Sequence, residues 1–212
     1  MSDAIRAFEE TPSPMTAFSA IVEAVTHPQR TFEELPLKGP LGPAVVLALL
    51  LGMLVWADQV SSLSSSVDWL LSMPQFREVA QMPAVRGYIE SFHSQGTWFA
   101  IWLGGLPNVP AELFGLFLTV HVPLMMVSAA GGGWRQSARV VCYTSTGAAL
   151  TIVPVIGSLL ALILVSIQIV AGLKHVHQTT TTRVVIGLSL PLVFVLLLVI
   201  GFGALMLALL HR

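Results

Sequence analysis

The 212-residue chain is 55% hydrophobic and only 10% charged, with a formal net charge of −1. So few charged residues could not cover the surface of a soluble protein of this size, and the composition predicts an integral membrane protein. The few, scattered basic residues give no indication of a nucleic-acid partner. The single cysteine, Cys142, excludes an internal disulfide.

The first 42 residues form a polar segment, predicted to be cytosolic. Residues 1–14 are polar and contain prolines, so we expect them to be loosely ordered. Four apolar residues that follow share one helical face: Phe18, Ile21, Val22 and Val25. Pro14 after Ser13 is typical of a helix start, and Pro28 of a stop. The pattern predicts an amphipathic helix that either lies in the membrane interface or packs on the cytosolic ends of the spans.

Residues 43–210 are predicted to form the membrane domain. Uncharged apolar runs place five spans at about 43–60, 111–130, 138–153, 156–173 and 184–210. The interval 61–109, between the first two spans, is more polar and is predicted to be extramembrane. The predicted fold class is therefore an all-α integral membrane protein with five transmembrane helices and an N-terminal amphipathic helix.

Spans three and four are predicted to form a tight helical hairpin. No charged residue occurs in the 34 positions between Arg139 and Lys174. A single helix of that length would run about 50 Å, whereas the hydrocarbon core is about 30 Å thick. Pro154 and Gly157 near the middle permit a turn. The hairpin either crosses the membrane fully or re-enters on the same side.

Three polar residues inside spans one and two form a candidate intramembrane polar site: Asp58, Glu112 and His121. Asp58 lies near the far end of span one, where a carboxylate can also reach the interface. Glu112 opens span two. His121 lies at the centre of that span, where it either acts in a proton relay or is held by a hydrogen bond to a neighbouring helix.

Span three is short and unusually rich in hydroxyl groups, which belong to Tyr143, Thr144, Ser145, Thr146 and Thr151. Small and hydroxyl-bearing residues let helices pack closely and form hydrogen bonds across the contact. We therefore expect span three to be central and hidden from lipid.

The distribution of basic residues predicts a cytoplasmic N-terminus. With five spans, seven basic residues are cytoplasmic: Arg6, Arg30, Lys38, Arg135, Arg139, Lys174 and Arg183. Three are on the other side: Arg77, Arg86 and Arg212. This asymmetry follows the positive-inside rule and favours an N-in, C-out orientation.

Two short cytoplasmic loops are expected to bring potential cations together as a candidate lipid- or partner-binding surface. Its members are Arg135, Arg139, Lys174, His177 and Arg183. Such a cluster attracts anionic headgroups. It could equally bind carboxylates of the N-terminal segment, for which the candidates are Glu23, Glu33 and Glu34.

The sequence contains no P-loop, dinucleotide fingerprint, H-E-x-x-H or G-x-S-x-G motif. His175 and His177 are two positions apart and do not share a helical face, which disfavours a metal site. We therefore expect no catalytic, cofactor-binding or metal-binding residues, and a protein that is not an enzyme.

The hairpin region contains a spaced series of residues, namely Gly131–Gly133, Arg135, Arg139, Tyr143, Pro154, Gly157, Gly172-Leu173, His177 and Arg183. In order and spacing this series resembles the YIP-domain family, five-span membrane proteins named for eukaryotic Ypt/Rab-interacting members. The N-terminal part, with His27-Pro28 and Phe32–Leu35, is similar to bacterial members. One departure is Thr146-Gly147, where the family usually has a proline in span three.

The resemblance implies a cytosolic N-terminus, five spans and, from eukaryotic relatives, a role in membrane organisation or vesicle traffic. It also implies the bacterial cytoplasmic membrane as the location. Two functions remain open. One is a non-enzymatic scaffold or adaptor that interacts with membrane lipids and assembles with itself or with another membrane protein. The other is a transporter or channel subunit that uses Asp58, Glu112 and His121, and it requires a continuous polar cavity. The sequence favours the scaffold, because it contains few intramembrane charges and no convincing internal repeat.

Overall fold

The computed structural model describes residues 3–73, 82–83 and 96–210, and the part of the chain that it describes contains helices and turns but no strand. Three short helices come first: α1 (Asp3–Glu10), α2 (Pro14–Thr26) and α3 (Pro28–Glu33). Five longer helices follow: α4 (Leu41–Ser72), α5 (Gly96–Met126), α6 (Trp134–Ala148), α7 (Gly157–Val176) and α8 (Thr181–Leu210). The basic residues assigned to the far side, Arg77, Arg86 and Arg212, lie outside the described residues.

Four helices in the described part of the chain are long and apolar enough to cross a membrane. Their apolar stretches are Leu41–Ser62, Leu103–Met126, Gly157–Val176 and Thr181–Phe202. The fifth predicted span, α6, is shorter, with 15 residues followed by a 3₁₀ turn at Ala149–Ile152. The chain is thus an all-α, multi-pass integral membrane protein, and the predicted fold class is confirmed.

Helices α6 and α7 form the predicted hairpin. The chain turns between the end of the 3₁₀ segment and Gly157, where Val155 is fully exposed and adopts a φ of 68°. A Cβ on Gly157 would lie 2.2 Å from the carbonyl oxygen of Leu150, so the first residue of α7 must be glycine for the two arms to approach this closely.

Helix α6 is the centre of the bundle, as predicted from its small and hydroxyl-bearing residues. Ten of its 15 residues are buried. The expected hydrogen bonds across helices are mostly absent among these hydroxyls, because Thr144 and Ser145 each donate to a carbonyl three residues earlier in α6, at 2.7 Å. Thr146 does the same and also accepts a bond from Gln168 of α7, at 3.2 Å. These hydroxyls therefore form hydrogen bonds within α6 itself, and their small side chains let α6 pack closely on its neighbours.

The N-terminal segment is ordered and packed on the bundle, contrary to the expectation that residues 1–14 are loosely ordered. Helix α1 lies antiparallel to α2, because the backbone N–H of Ala4 donates to the Glu23 carboxylate at the far end of α2, 3.3 Å away. The buried side chains of Ile5 and Phe8 hold α1 in the core. The predicted start and stop of α2 are confirmed: Ser13 caps it, and it ends one residue before His27.

Helix α3 packs tightly against the hairpin. The Phe32 side chain is fully buried, and a Cβ on Gly172 of α7 would lie 2.8 Å from both Phe32 and Val140 of α6. The glycine thus provides the space in which α3 contacts α6 and α7 together. The three short helices therefore cover one side of the hairpin.

Candidate functional site

A buried ionic cluster, which we call the docking cluster, joins α1 to the central helix. Arg139 of α6 donates from Nε to the Glu9 carboxylate at 2.7 Å, and the Tyr143 hydroxyl donates to the same carboxylate oxygen at 2.9 Å. The Arg139 side chain is 1% exposed and that of Glu9 4%. The charge of each partner is thus neutralised in the protein interior.

The same arginine also binds the segment that leads into α4. Its Nη1 donates to the carbonyl oxygen of Pro36 and to the Gln136 side chain, the latter at 3.1 Å. A Cβ on Gly39 would lie 2.3 Å from the guanidinium carbon of Arg139. The chain therefore passes directly over the arginine, and a glycine is needed at this close approach. Arg139 connects both ends of the N-terminal segment to α6.

Three further contacts tie the segment to α7. Lys174 lies 3.3 Å from the Glu33 carboxylate, in a pair that is partly exposed on both sides. His175 shares a hydrogen bond of 2.9 Å with the carbonyl oxygen of Leu35, in which its ring nitrogen donates. Deeper in the bundle, the Gln168 amide donates to the carbonyl oxygen of Ala24 at 3.0 Å. The N-terminal segment is therefore bound along one half of α7, from Gln168 to His175.

A second buried polar group, the histidine cluster, joins the loop before α6 to the loop after α7. The Ser137 hydroxyl lies 2.8 Å from His121 Nδ1 and 2.8 Å from His177 Nε2. The backbone N–H of Gly132 donates to His177 Nδ1 at 2.9 Å. Phe117 stacks on the ring of His121 at a centroid distance of 5.3 Å. This cluster brings α5, α6 and the end of α7 together.

The hydrogen bonds of the histidine cluster assign its protons. Because Gly132 donates to Nδ1 of His177, a neutral His177 carries its proton on Nε2 and donates to Ser137. Ser137 then donates to Nδ1 of His121, which leaves the second proton on Nε2 of that ring. The chain of donors runs one way, from the Gly132 backbone to His121, and it requires that both rings are neutral.

The end of α7 favours this neutral state. Burial lowers the pKa of His177 to about 4, and repulsion from the neighbouring His121 contributes in the same direction. His177 lies just after the apolar stretch of α7, at the C-cap. At neutral pH it therefore acts as a hydrogen-bonding residue rather than as a cation.

The structure divides the predicted lipid- or partner-binding surface into two groups. Arg135 and Arg183 are exposed, at the first turns of α6 and α8, and the Arg135 guanidinium lies 5.8 Å from the centre of the Trp134 ring. Lys174 is partly exposed beside Glu33. Arg139 and His177 are buried in the docking cluster and the histidine cluster.

The three residues of the candidate intramembrane polar site have different surroundings. His121 belongs to the histidine cluster, whereas Asp58 is partly buried near the middle of α4, four residues before the end of its apolar stretch. Glu112 is exposed and lines a largely apolar cleft of about 160 Å³ between α4, α5 and α6. Neither Asp58 nor His121 lines this cleft.

Two neighbouring histidines of α7 point to different partners. His175 binds Leu35, and His177 binds Ser137 and Gly132. Within the described residues, no group of three His, Cys, Asp or Glu side chains is placed to hold a metal ion. The described part of the chain thus offers polar groups that bind other parts of the same chain.

Two residues of these clusters, Glu9 and Ser137, were not identified from the sequence. Glu9 follows Phe8 and Ile5, whose spacing of three is an amphipathic signal in the segment expected to be loosely ordered. Of the predicted carboxylate partners, Glu33 does pair with a basic residue of the hairpin. Ser137 carries no comparable signal, because serines are common at helix starts.

These features define a polytopic helical membrane protein whose N-terminal helices are bound to a central hairpin by buried polar clusters. A family model for the Yip1 domain matches residues 22–203, which is most of the chain. The chain therefore belongs to the Yip1 domain family. Comparison with curated proteins and with solved structures gave no match.

Proposed function

We propose that this Yip1-domain protein is a non-enzymatic membrane scaffold or adaptor. The observation that supports this role most directly is that its buried polar side chains bind other parts of the same chain. Arg139, Tyr143 and Gln168 all bind the N-terminal segment. Side chains that bind other parts of the chain hold its surface in a fixed shape. The same side chains are then not free to bind or translocate a solute.

The proposed working surface lies where the two short loops meet, and it comprises Arg135, Lys174 and Arg183. The loops are in direct contact, since a Cβ on Gly132 would lie 2.3 Å from the carbonyl oxygen of Val176. Arg139 and His177 are buried beneath this surface, and their hydrogen bonds hold it in position. We propose that it faces the cytoplasm and binds anionic headgroups or the acidic surface of a membrane-protein partner.

The alternative of a transporter or channel subunit has less support. It requires a continuous polar path, and the cleft beside Glu112 is lined by neither Asp58 nor His121. The cleft beside Glu112 is lined mainly by apolar side chains of α4 and α5. An adaptor requires no such path.

A lipid-binding measurement tests the proposed surface. The variant Arg135→Gln/Arg183→Gln removes two exposed charges without touching the buried clusters. Basic residues near an anionic surface contribute about 1 kcal/mol each, so affinity for phosphatidylglycerol should fall roughly 30-fold. Binding would be measured by native mass spectrometry of delipidated protein titrated with phosphatidylglycerol.

The matched control is Arg77→Gln/Arg86→Gln, which removes the same charge from the side predicted to be extracytoplasmic. It should retain its affinity for phosphatidylglycerol. Equal losses in the two double variants would mean that net charge alone determines binding, and the surface would then have no special role.

A further inference from the structure

Three large apolar side chains of helix α2 lie on the side that faces away from the bundle. Met15, Phe18 and Val22 are 78%, 65% and 43% exposed, whereas Ala20 and Ala24 are buried against the protein. A helix at a water-facing surface has the opposite arrangement, with its polar side outward. The surroundings of α2 must therefore be apolar.

The start of α2 lies beside the first turns of α4. The turn Pro12–Pro14 lines a cleft together with Pro43, Val46, Leu47 and Leu50 of α4. Leu50 is nine residues beyond Leu41, the first residue of α4, which corresponds to about 13 Å along the helix axis.

The end of α2 lies at a similar level on the other side of the hairpin. Ala24 accepts a hydrogen bond from Gln168, which precedes the last residue of α7, Val176, by eight positions. That separation is about 12 Å along the axis. One leaflet of the hydrocarbon core is about 15 Å thick, so the end of α2 is level with its interior, and the start of α2 lies beside residues of α4 that extend into it.

Both ends of α2 have hydrogen-bond partners, as an apolar environment requires. No charged residue occurs between Glu10 and Glu23. At the start, Ser13 and Thr16 cap each other's backbone N–H groups, at 3.2 and 3.0 Å. At the end, Thr31 donates to the carbonyl of Glu23 at 3.1 Å, next to the carbonyl that Gln168 binds. The last turn of the helix thus obtains partners from the protein.

We propose that α2 is an intramembrane helix, immersed in the hydrocarbon of one leaflet. Lipid acyl chains cover Met15, Phe18 and Val22, and one acyl chain occupies the cleft of about 450 Å³ beside Leu50. Lipid is the occupant because the exposed face of α2 continues onto the exposed, apolar face of α4, where Leu54 lies one turn beyond Leu50. This placement is independent of the scaffold role.

Spin labels on the full-length protein in liposomes test the proposal. In a Cys142→Ala background, a nitroxide is attached at Phe18→Cys and, separately, at Val22→Cys. Collision rates are measured with oxygen, which concentrates in hydrocarbon, and with a water-soluble nickel chelate. Leu54→Cys on α4 is the apolar reference, and Gln178→Cys, at an exposed position in the turn after α7, is the aqueous reference.

We expect the oxygen-to-nickel collision ratio at both α2 positions to match that at Leu54 and to exceed that at Gln178 several-fold. A ratio equal to that at Gln178 would place α2 in water and overturn the proposal. Low collision rates with both reagents would also overturn it, because a second protein surface would then cover α2. Dipolar broadening between labels would identify that surface as another copy. The two α2 positions give independent results if one variant fails to insert.

Discussion

The ion pair between Glu9 and Arg139 should determine whether the N-terminal segment stays bound to the bundle. The substitution Glu9→Gln keeps the size of the side chain and removes its charge, so Arg139 is left as a buried cation. Removing one partner of a buried pair typically costs about 3–5 kcal/mol. At about 2–4 °C per kcal/mol for a chain of this length, the melting temperature should fall by roughly 6–20 °C.

The neighbouring residue provides a matched control. Glu10→Gln also removes one negative charge from α1, but Glu10 pairs with Arg6 at 2.9 Å on an exposed surface. Such pairs contribute about 0–1 kcal/mol, so this variant should melt close to the unmodified protein. Melting would be followed in detergent with a thiol-reactive dye, since Cys142 is buried next to Tyr143 and reacts only when α6 opens.

Equal melting temperatures of Glu9→Gln and Glu10→Gln would refute this reasoning, because the docking cluster would then contribute no more than a surface pair. The double variant Glu9→Gln/Arg139→Gln makes the comparison sharper. If the cost comes from an unpaired buried charge, the double variant should be more stable than the sum of the two single changes predicts.

Three further measurements test other parts of the structure. The pKa of His177 is lower in the folded state than its unfolded value of 6.5, so the unfolded state binds a proton first as the pH falls. The free energy of unfolding should therefore fall by at most about 3 kcal/mol as the pH is lowered from 6.5 to 4. The variant His177→Asn should flatten this part of the pH profile of unfolding. Gly172→Ala should cost about 1–3 kcal/mol in thermal unfolding, because the added Cβ would lie 2.8 Å from side chains of α3 and α6, whereas Gly115→Ala, with nothing within 4 Å, should cost nothing. Cysteines at Gln178 and Arg86 should react with a membrane-impermeant reagent from opposite sides of the membrane, and labelling from one side would contradict the N-in, five-span orientation.

Local sequence features were sufficient for the spans and for the hairpin turn. An uncharged run of 34 residues is too long for one crossing, and Pro154 and Gly157 mark where it turns. The bounds of α2 were also predictable, because Ser13-Pro14 and His27-Pro28 act on the adjacent backbone alone. Span lengths were less predictable: α5 already begins at Gly96 and is apolar from Leu103, before the expected start at residue 111.

Helix α1 could not be predicted from its own residues. At eight residues it is too short to be stable alone, so composition suggested a loosely ordered segment. It is held by Glu9, whose partner Arg139 lies 130 positions away. Likewise, the sequence grouped Arg139 and His177 with exposed cations because charge type is visible in a sequence, whereas burial is not.

The sequence by itself determined that this chain is a helical membrane protein with a hairpin, because hydrocarbon thickness and helical rise act on each segment separately. Only the tertiary structure decided which polar residues meet. Ser137 lies between two histidines, and Gln168 binds the end of α2, because packing brings distant segments within hydrogen-bonding distance. Inside a membrane, buried polar groups require such partners. The fold therefore decides which polar residues are buried in hydrogen-bonded clusters and which remain on the surface.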